Sequence, residues 1–256
     1  MAIATFAWNV VQDAIHRKVF YVLLALAVLM IFLVPLLPSA QLGIQVDLFR
    51  EAALGLITIV AFLIAVIMAA TTVNRDTEQK LIYNLISKPV ERWQYYLGKF
   101  LGIMLVLALA LAMIFIVLIT YVFAKFNVFN PALAKSLFTI FLEASILASF
   151  AMLASVYLSP LVCVLAAILF YVLGHVKGDY LYSAMHGGNP IARFASGSLY
   201  YLLPNLERFN INEAIAHGET VFKVGLLDLF LLFLVAAAFS AIFLAIGIFL
   251  FSRRDL

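Results

Sequence analysis

The sequence predicts an all-α integral membrane protein. It has six membrane-crossing helices, an N-terminal helix in the membrane interface and a short cytoplasmic helix between the second and third spans. Two observations carry this expectation. Of the 256 residues, 66% are hydrophobic and 11% are charged. A soluble domain has about 45–50% apolar and about 25% charged residues. No water-soluble interior hides that surplus, whereas a bilayer removes the need to hide it. The apolar residues are also gathered into six runs, each near the roughly 20 helical residues that cross a hydrocarbon core. These are Val19–Leu37, Ala52–Thr72, Phe100–Ala124, Leu137–Leu158, Leu161–Val176 and Leu229–Phe251. No polar stretch between them is long enough for a soluble domain, so residues 1–256 form a single membrane domain.

Residues 1–18 precede the first run and mix Ile3, Phe6, Trp8, Val10, Val11 and Ile15 with Asn9, Gln12, Asp13, His16 and Arg17. Helical spacing puts Ile3, Phe6 and Val10 near one face, with Asp13 and Arg17 four apart on another. This suits a helix in the membrane interface with Trp8 at headgroup depth. The alternative is an ordinary cytoplasmic extension of the first span. No cleavage signature of a signal peptide follows the first run.

Lys and Arg in short flanks set the orientation. Six spans put both termini on one side, with Arg17, Lys18, Arg75, Lys80, Lys88, Arg92, Lys99, Arg253 and Arg254. Short loops on the other side carry Arg50, Lys125 and Lys135. Nine against three places both termini in the cytoplasm. The segment 73–99 is then cytoplasmic, and the long connection 177–228 is outside. The turn at Ser159-Pro160 is very tight. The net charge of +3 is spread between apolar runs, which fits a bilayer surface and gives no sign of nucleic-acid binding. Cys163 is the only cysteine, so neither an internal disulfide nor a cysteine metal site exists. His16, His175, His186 and His217 show no metal-site spacing.

Segment 74–99 is the most patterned stretch. Thr77 suits the N-cap of a short helix in which Leu81, Ile82, Leu85 and Ile86 recur at helical spacing. Pro89 disfavours helix at Lys88, so this helix ends near Ser87 and a second starts near Val90 and runs into the third span. Glu78, Lys80, Lys88 and Arg92 supply charge around it. Read from the residues alone, this is either a solvated loop with an interfacial helix or a docking element.

Glu78, Leu85, Ser87, Pro89, Val90, Arg92, Gly98 and Lys99 resemble the hallmark stretch of ABC-2 type permeases. In that family a Glu precedes Gly-Thr and a Leu-rich turn, then Ser-x-Pro-Val-x-Arg and a Gly-Lys before the next span. Gln79-Lys80 stands here where Gly-Thr is usual. The layout is also similar to the short six-span permeases that pair with a separate ATPase, down to the closing Phe251-Ser252-Arg253-Arg254-Asp255. The resemblance implies a permease subunit, an exporter, in a prokaryotic inner membrane. It implies two ABC ATPase subunits as partners, a second permease (the same or a related chain) and surrounding lipid. The helix after Glu78 would be the coupling helix that docks on the ATPase, with Glu78, Leu81, Leu85, Ser87, Pro89 and Arg92 as docking residues. ATP and Mg2+ would bind the partner, with no cofactor on this chain.

Glu143 is the only acidic side chain well inside a run. A carboxylate there is costly, which makes it a candidate for the transport pathway. It could instead face a water-filled vestibule or bond a neighbouring helix. Ala144, Ala148, Ala151 and Ser155 form a small-residue stripe, as do Ala237, Ala241 and Ala245, and both suit close helix packing. The stretch Tyr200–Asn210 suggests an interfacial helix and turn. The chain has no phosphate-binding Gly-x-x-x-x-Gly-Lys-Ser/Thr, no His-Glu-x-x-His and no Gly-x-Ser-x-Gly, so no catalytic site is expected. Two other functions fit the same pattern. One is an ion- or proton-coupled secondary transporter, and the other is a non-transporting membrane anchor for an ATPase-driven machine.

Overall fold

A computed structural model describes residues 2–33, 45–78, 91–126, 133–176, 203–212 and 225–253, with residues 183, 193 and 197. Among them every regular element is helical. Helix α1 (Ala2–His16) leads into α2 (Lys18–Leu33), followed by the long helices α3 (Gln45–Glu78) and α4 (Arg92–Phe126). Then come α5 (Leu133–Ser155), α6 (Pro160–Val176), a one-turn 3-10 helix (Leu206–Phe209) and α7 (Leu226–Arg253).

Among the described residues, four segments are long and apolar enough to cross a membrane: Phe49–Thr72, Arg92–Lys125, Leu133–Ser155 and Leu226–Arg253. They correspond to the second, third, fourth and sixth runs. The first and fifth runs fall on shorter apolar helices, Phe20–Leu29 within α2 and Pro160–Val176. Residues 34–37, at the end of the first run, lie outside the described residues.

Helix α5 is the most buried of the four and packs against α3, α4, α6 and α7. Its stripe Ala144, Ala148, Ala151 and Ser155 is buried as expected, because small side chains let neighbouring backbones approach. Three of its serines bond within the helix. Ser145, Ser149 and Ser155 donate to the carbonyls of Leu142, Ile146 and Met152 at 2.6, 2.7 and 2.7 Å. The hydroxyls are thereby satisfied within their own helix, as a dry environment requires.

The α5–α6 turn is tight. Val156 and Tyr157 N–H donate to Leu153 and Ala154 carbonyls, both at 3.3 Å, winding α5 down. Pro160 then opens α6, where its missing N–H costs nothing. The Cys163 thiol donates to Ala151 O at 3.0 Å and ties the two helices together.

Two local expectations change. Thr77 is not an N-cap: α3 runs unbroken through it to Glu78, since no Gly or Pro interrupts 73–78. The stripe Ala237, Ala241 and Ala245 faces out of the chain. The buried face of α7 is instead Ala236, Ser240, Leu244, Gly247 and Phe251. Both rows are largely apolar, so hydropathy alone did not separate them.

Candidate functional site

The described residues next to segment 79–90 form a node in which three helices meet. Helix α1 packs along the first turns of α4. Ala7, Val10, Val11 and Ala14 are buried there, while Trp8 stays exposed. The approach is set by two glycines one turn apart on α4. A Cβ at Gly98 would lie 2.7 Å from Phe6 Cβ and 2.9 Å from Ile3 O. One at Gly102 would lie 2.6 Å from Val10 Cβ and 2.8 Å from Ala7 O. The helices therefore pack backbone to backbone, as small residues four apart allow. Arg17, just past α1, reaches Asp13 at 3.6 Å and donates to Thr71 Oγ1 of α3 at 2.7 Å.

Tyr95 stands edge-on to Phe6 of α1, with ring centroids 5.4 Å apart, and stacks on Phe251 of α7 at 5.7 Å. Tyr96 is fully buried, packs against Phe251 and presses its hydroxyl end on Gly247. Lys99 is only 7% exposed and holds its ammonium 5.6 Å from the Tyr95 ring centroid, a favourable placement over a π face. Arg92 completes the node. Its Nη1 donates to Ser252 O at 2.9 Å and to Phe251 O at 3.3 Å. These carbonyls belong to the last turn of α7, which lacks partners within its own helix. A cation at that end also complements the helix dipole.

Of the expected docking residues, Glu78 is the final residue of α3 and Arg92 the first of α4. Leu81, Leu85, Ser87 and Pro89 lie outside the described residues. The guanidinium of Arg92 makes an intramolecular bond that the sequence did not announce, because its partners are backbone carbonyls about 160 residues away.

Glu143 is 2% exposed, inside α5. Its Oε1 lies 3.5 Å from Nε2 of His175 on α6 and has no hydrogen-bond partner. Nδ1 of His175 is 3.1 Å from the Tyr171 carbonyl. A carbonyl only accepts, so Nδ1 carries a proton and, in a neutral ring, Nε2 is an acceptor facing the carboxyl. One proton between Glu143 and His175 then satisfies both groups. Next to this pair, Leu206 of the 3-10 helix seats on Gly174, where a Cβ would lie 2.6 Å from its side chain. Leu203 and Phe209 are also buried, so this part of the connection between α6 and α7 is packed against the bundle. Asn212 Nδ2 reaches Thr58 Oγ1 of α3 at 3.4 Å. The expected candidate Glu143 is thus joined by His175, which lies at the end of the fifth run. A groove between α4 and α5, lined by Leu111, Phe115, Leu137 and Phe141, is apolar and offers no chemistry.

A family model described as ABC-2 family transporter protein matches residues 4–256. No curated protein gives a match.

Proposed function

The chain belongs to the ABC-2 transporter family, a family of multi-pass membrane proteins that work with an ABC ATPase subunit, and on that premise we propose that it is the permease subunit of an ATP-driven exporter. The observation that carries this reading is the family match over nearly the whole chain. The resemblance between Glu78 and Lys99 supports a more specific one: two ATPase subunits dock on this segment. In this reading the chain crosses the membrane six times, with α2 and α6 as the two short spans. Both termini are cytoplasmic in a prokaryotic inner membrane, and the chain pairs with a second permease, either itself or a related one. ATP and Mg2+ are bound by the ATPase subunits.

Closure of two ATPases would displace the segment between α3 and α4, and the two long helices would carry that push into the bilayer. Such a push shifts the balance between two arrangements of the bundle. Leu81 and Leu85 serve as apolar anchors and Glu78 as a docking charge. Leu81→Asp places a charge in the proposed contact and should abolish co-purification of the ATPase with the tagged full chain, while chain abundance in the membrane is unchanged. Intact association of that variant would refute the docking assignment.

The pairing of buried Glu143 with half-buried His175 favours a second reading, proton-coupled transport. The two are separated by whether activity in vesicles needs ATP or collapses with an uncoupler.

A further inference from the structure

The contacts of Arg92 point beyond a docking role. The residue sits at the boundary between segment 79–90 and α4, and two hydrogen bonds run from it to the end of α7. It is the polar part of a larger joint. Tyr95 and Tyr96, one turn further along α4, grip Phe251 and Gly247 of the same α7 end. Midway along, α7 meets the bundle through apolar packing, with Phe243 against Phe150 and Phe170. Most of its surface faces away from the chain, and it rests on the bundle through one narrow face.

We infer that Arg92 is a positioning residue that clamps the C-terminal end of α7 to the start of α4, so that a displacement of segment 79–91 moves both helices together. The inference rests on the reading that an ATPase docks on this segment. It assigns Arg92 to transmission of the push and not to recognition of the ATPase.

Three physical points support it. The guanidinium offers several donors in a rigid fork, so it holds two successive carbonyls in one orientation. Those carbonyls are free to accept because α7 ends there. The aromatic contacts beneath the clamp bring the two helix ends together, and the directional hydrogen bonds add a fixed orientation.

The test uses the full chain with the ATPase that co-purifies with it, in the background Cys163→Ser. Spin labels at Trp93→Cys and Ser252→Cys, both exposed positions, report the distance between the start of α4 and the end of α7. It is read without nucleotide and with ATP plus vanadate. With Arg92 present, one narrow distance should appear in both states. With Arg92→Gln it should broaden and become nucleotide-dependent, Arg92→Lys should fall between, and ATPase co-purification should stay at the level of the parent in all three.

Coupled ATP turnover in Arg92→Gln should fall by about 5- to 150-fold, the usual range for loss of coupling between two sites. A narrow, nucleotide-independent distance in Arg92→Gln would overturn the clamp. So would loss of ATPase association with the distance unchanged, which makes Arg92 a docking charge. If the parent chain binds no ATPase, the docking reading fails first and the transmission role falls with it.

Discussion

Replacing Gly102 by Ala should push α1 off α4. The added methyl would sit 2.6 Å from Val10 Cβ, 2.8 Å from Ala7 O and 3.0 Å from Ala7 Cα, where ordinary contacts are 3.4–4 Å. To accommodate it, α1 must retreat by about 1 Å, which loses dispersion contacts along the whole seam. Overpacking of this kind costs about 1–3 kcal/mol. Part of the cost is masked, because Ala is favoured over Gly in a helix by about 1 kcal/mol. Gly55→Ala supplies the control: it lies inside α3 with nothing within 4 Å of the new Cβ. The two substitutions share the propensity gain, so the difference in unfolding free energy between them isolates the clash at about 1–3 kcal/mol. Equilibrium unfolding of the purified full chain in detergent measures that difference. In a Cys163→Ser background, maleimide labelling of Ala7→Cys, buried in the seam, should rise with Gly102→Ala and not with Gly55→Ala. Val10→Ala should not rescue it, since the clash is with Val10 Cβ and with backbone. If Gly102→Ala is as benign as Gly55→Ala and position 7 stays protected, the α1–α4 packing described above is wrong.

Glu143→Gln keeps a donor facing His175 Nε2 and should be close to neutral, whereas Glu143→Leu takes that donor from a half-buried ring nitrogen and should cost about 0.5–1.5 kcal/mol. The same unfolding assay reads both, and equal losses would show that the pair shares no hydrogen. Tyr96→Phe removes a buried hydroxyl that has no partner and presses on Gly247, so it should leave stability unchanged or raise it by up to about 1 kcal/mol. It should also soften the loss caused by Gly247→Ala, a coupling that a double-mutant cycle measures directly.

The helices were legible because a bilayer imposes a length and a composition that six runs displayed openly. What pairs with what was not. Gly98 and Gly102 have the spacing of a close helix contact, yet nothing in the sequence says that α1 is the helix they meet. Glu143 announced itself as an acid in an apolar run, but His175 lies 32 positions away, and its ring looks like any residue at the end of a span. Arg92 carried a visible charge, and its partners are carbonyls, which have no signature in a sequence. The outward row of α7 could not be told from the inward one, because a lipid-facing surface and a packed core use the same side chains. Thr77 misled for a related reason. A good capping residue stops being a cap when an already formed helix runs through it.

The bundle assigns unequal freedom to its parts. Helix α5 is enclosed by four neighbours and carries Glu143, so any movement of it would disturb the whole core. Helix α7 touches the core through one face, meeting Phe150 and Phe170 with Phe243 midway and the α4 node at its C-terminal end. Elements with few buried contacts lie at the low-stability end and shift at least cost. Under the proposed docking, a push entering at the start of α4 would meet two neighbours of different character. One is α1, locked through Gly98 and Gly102, and the other is α7, held by an arginine and two tyrosines. The first contact makes α1 and α4 one rigid lever. The second would hand the motion to the helix best able to move, while the Glu143–His175 pair on α5 and α6 stays with the fixed part of the bundle.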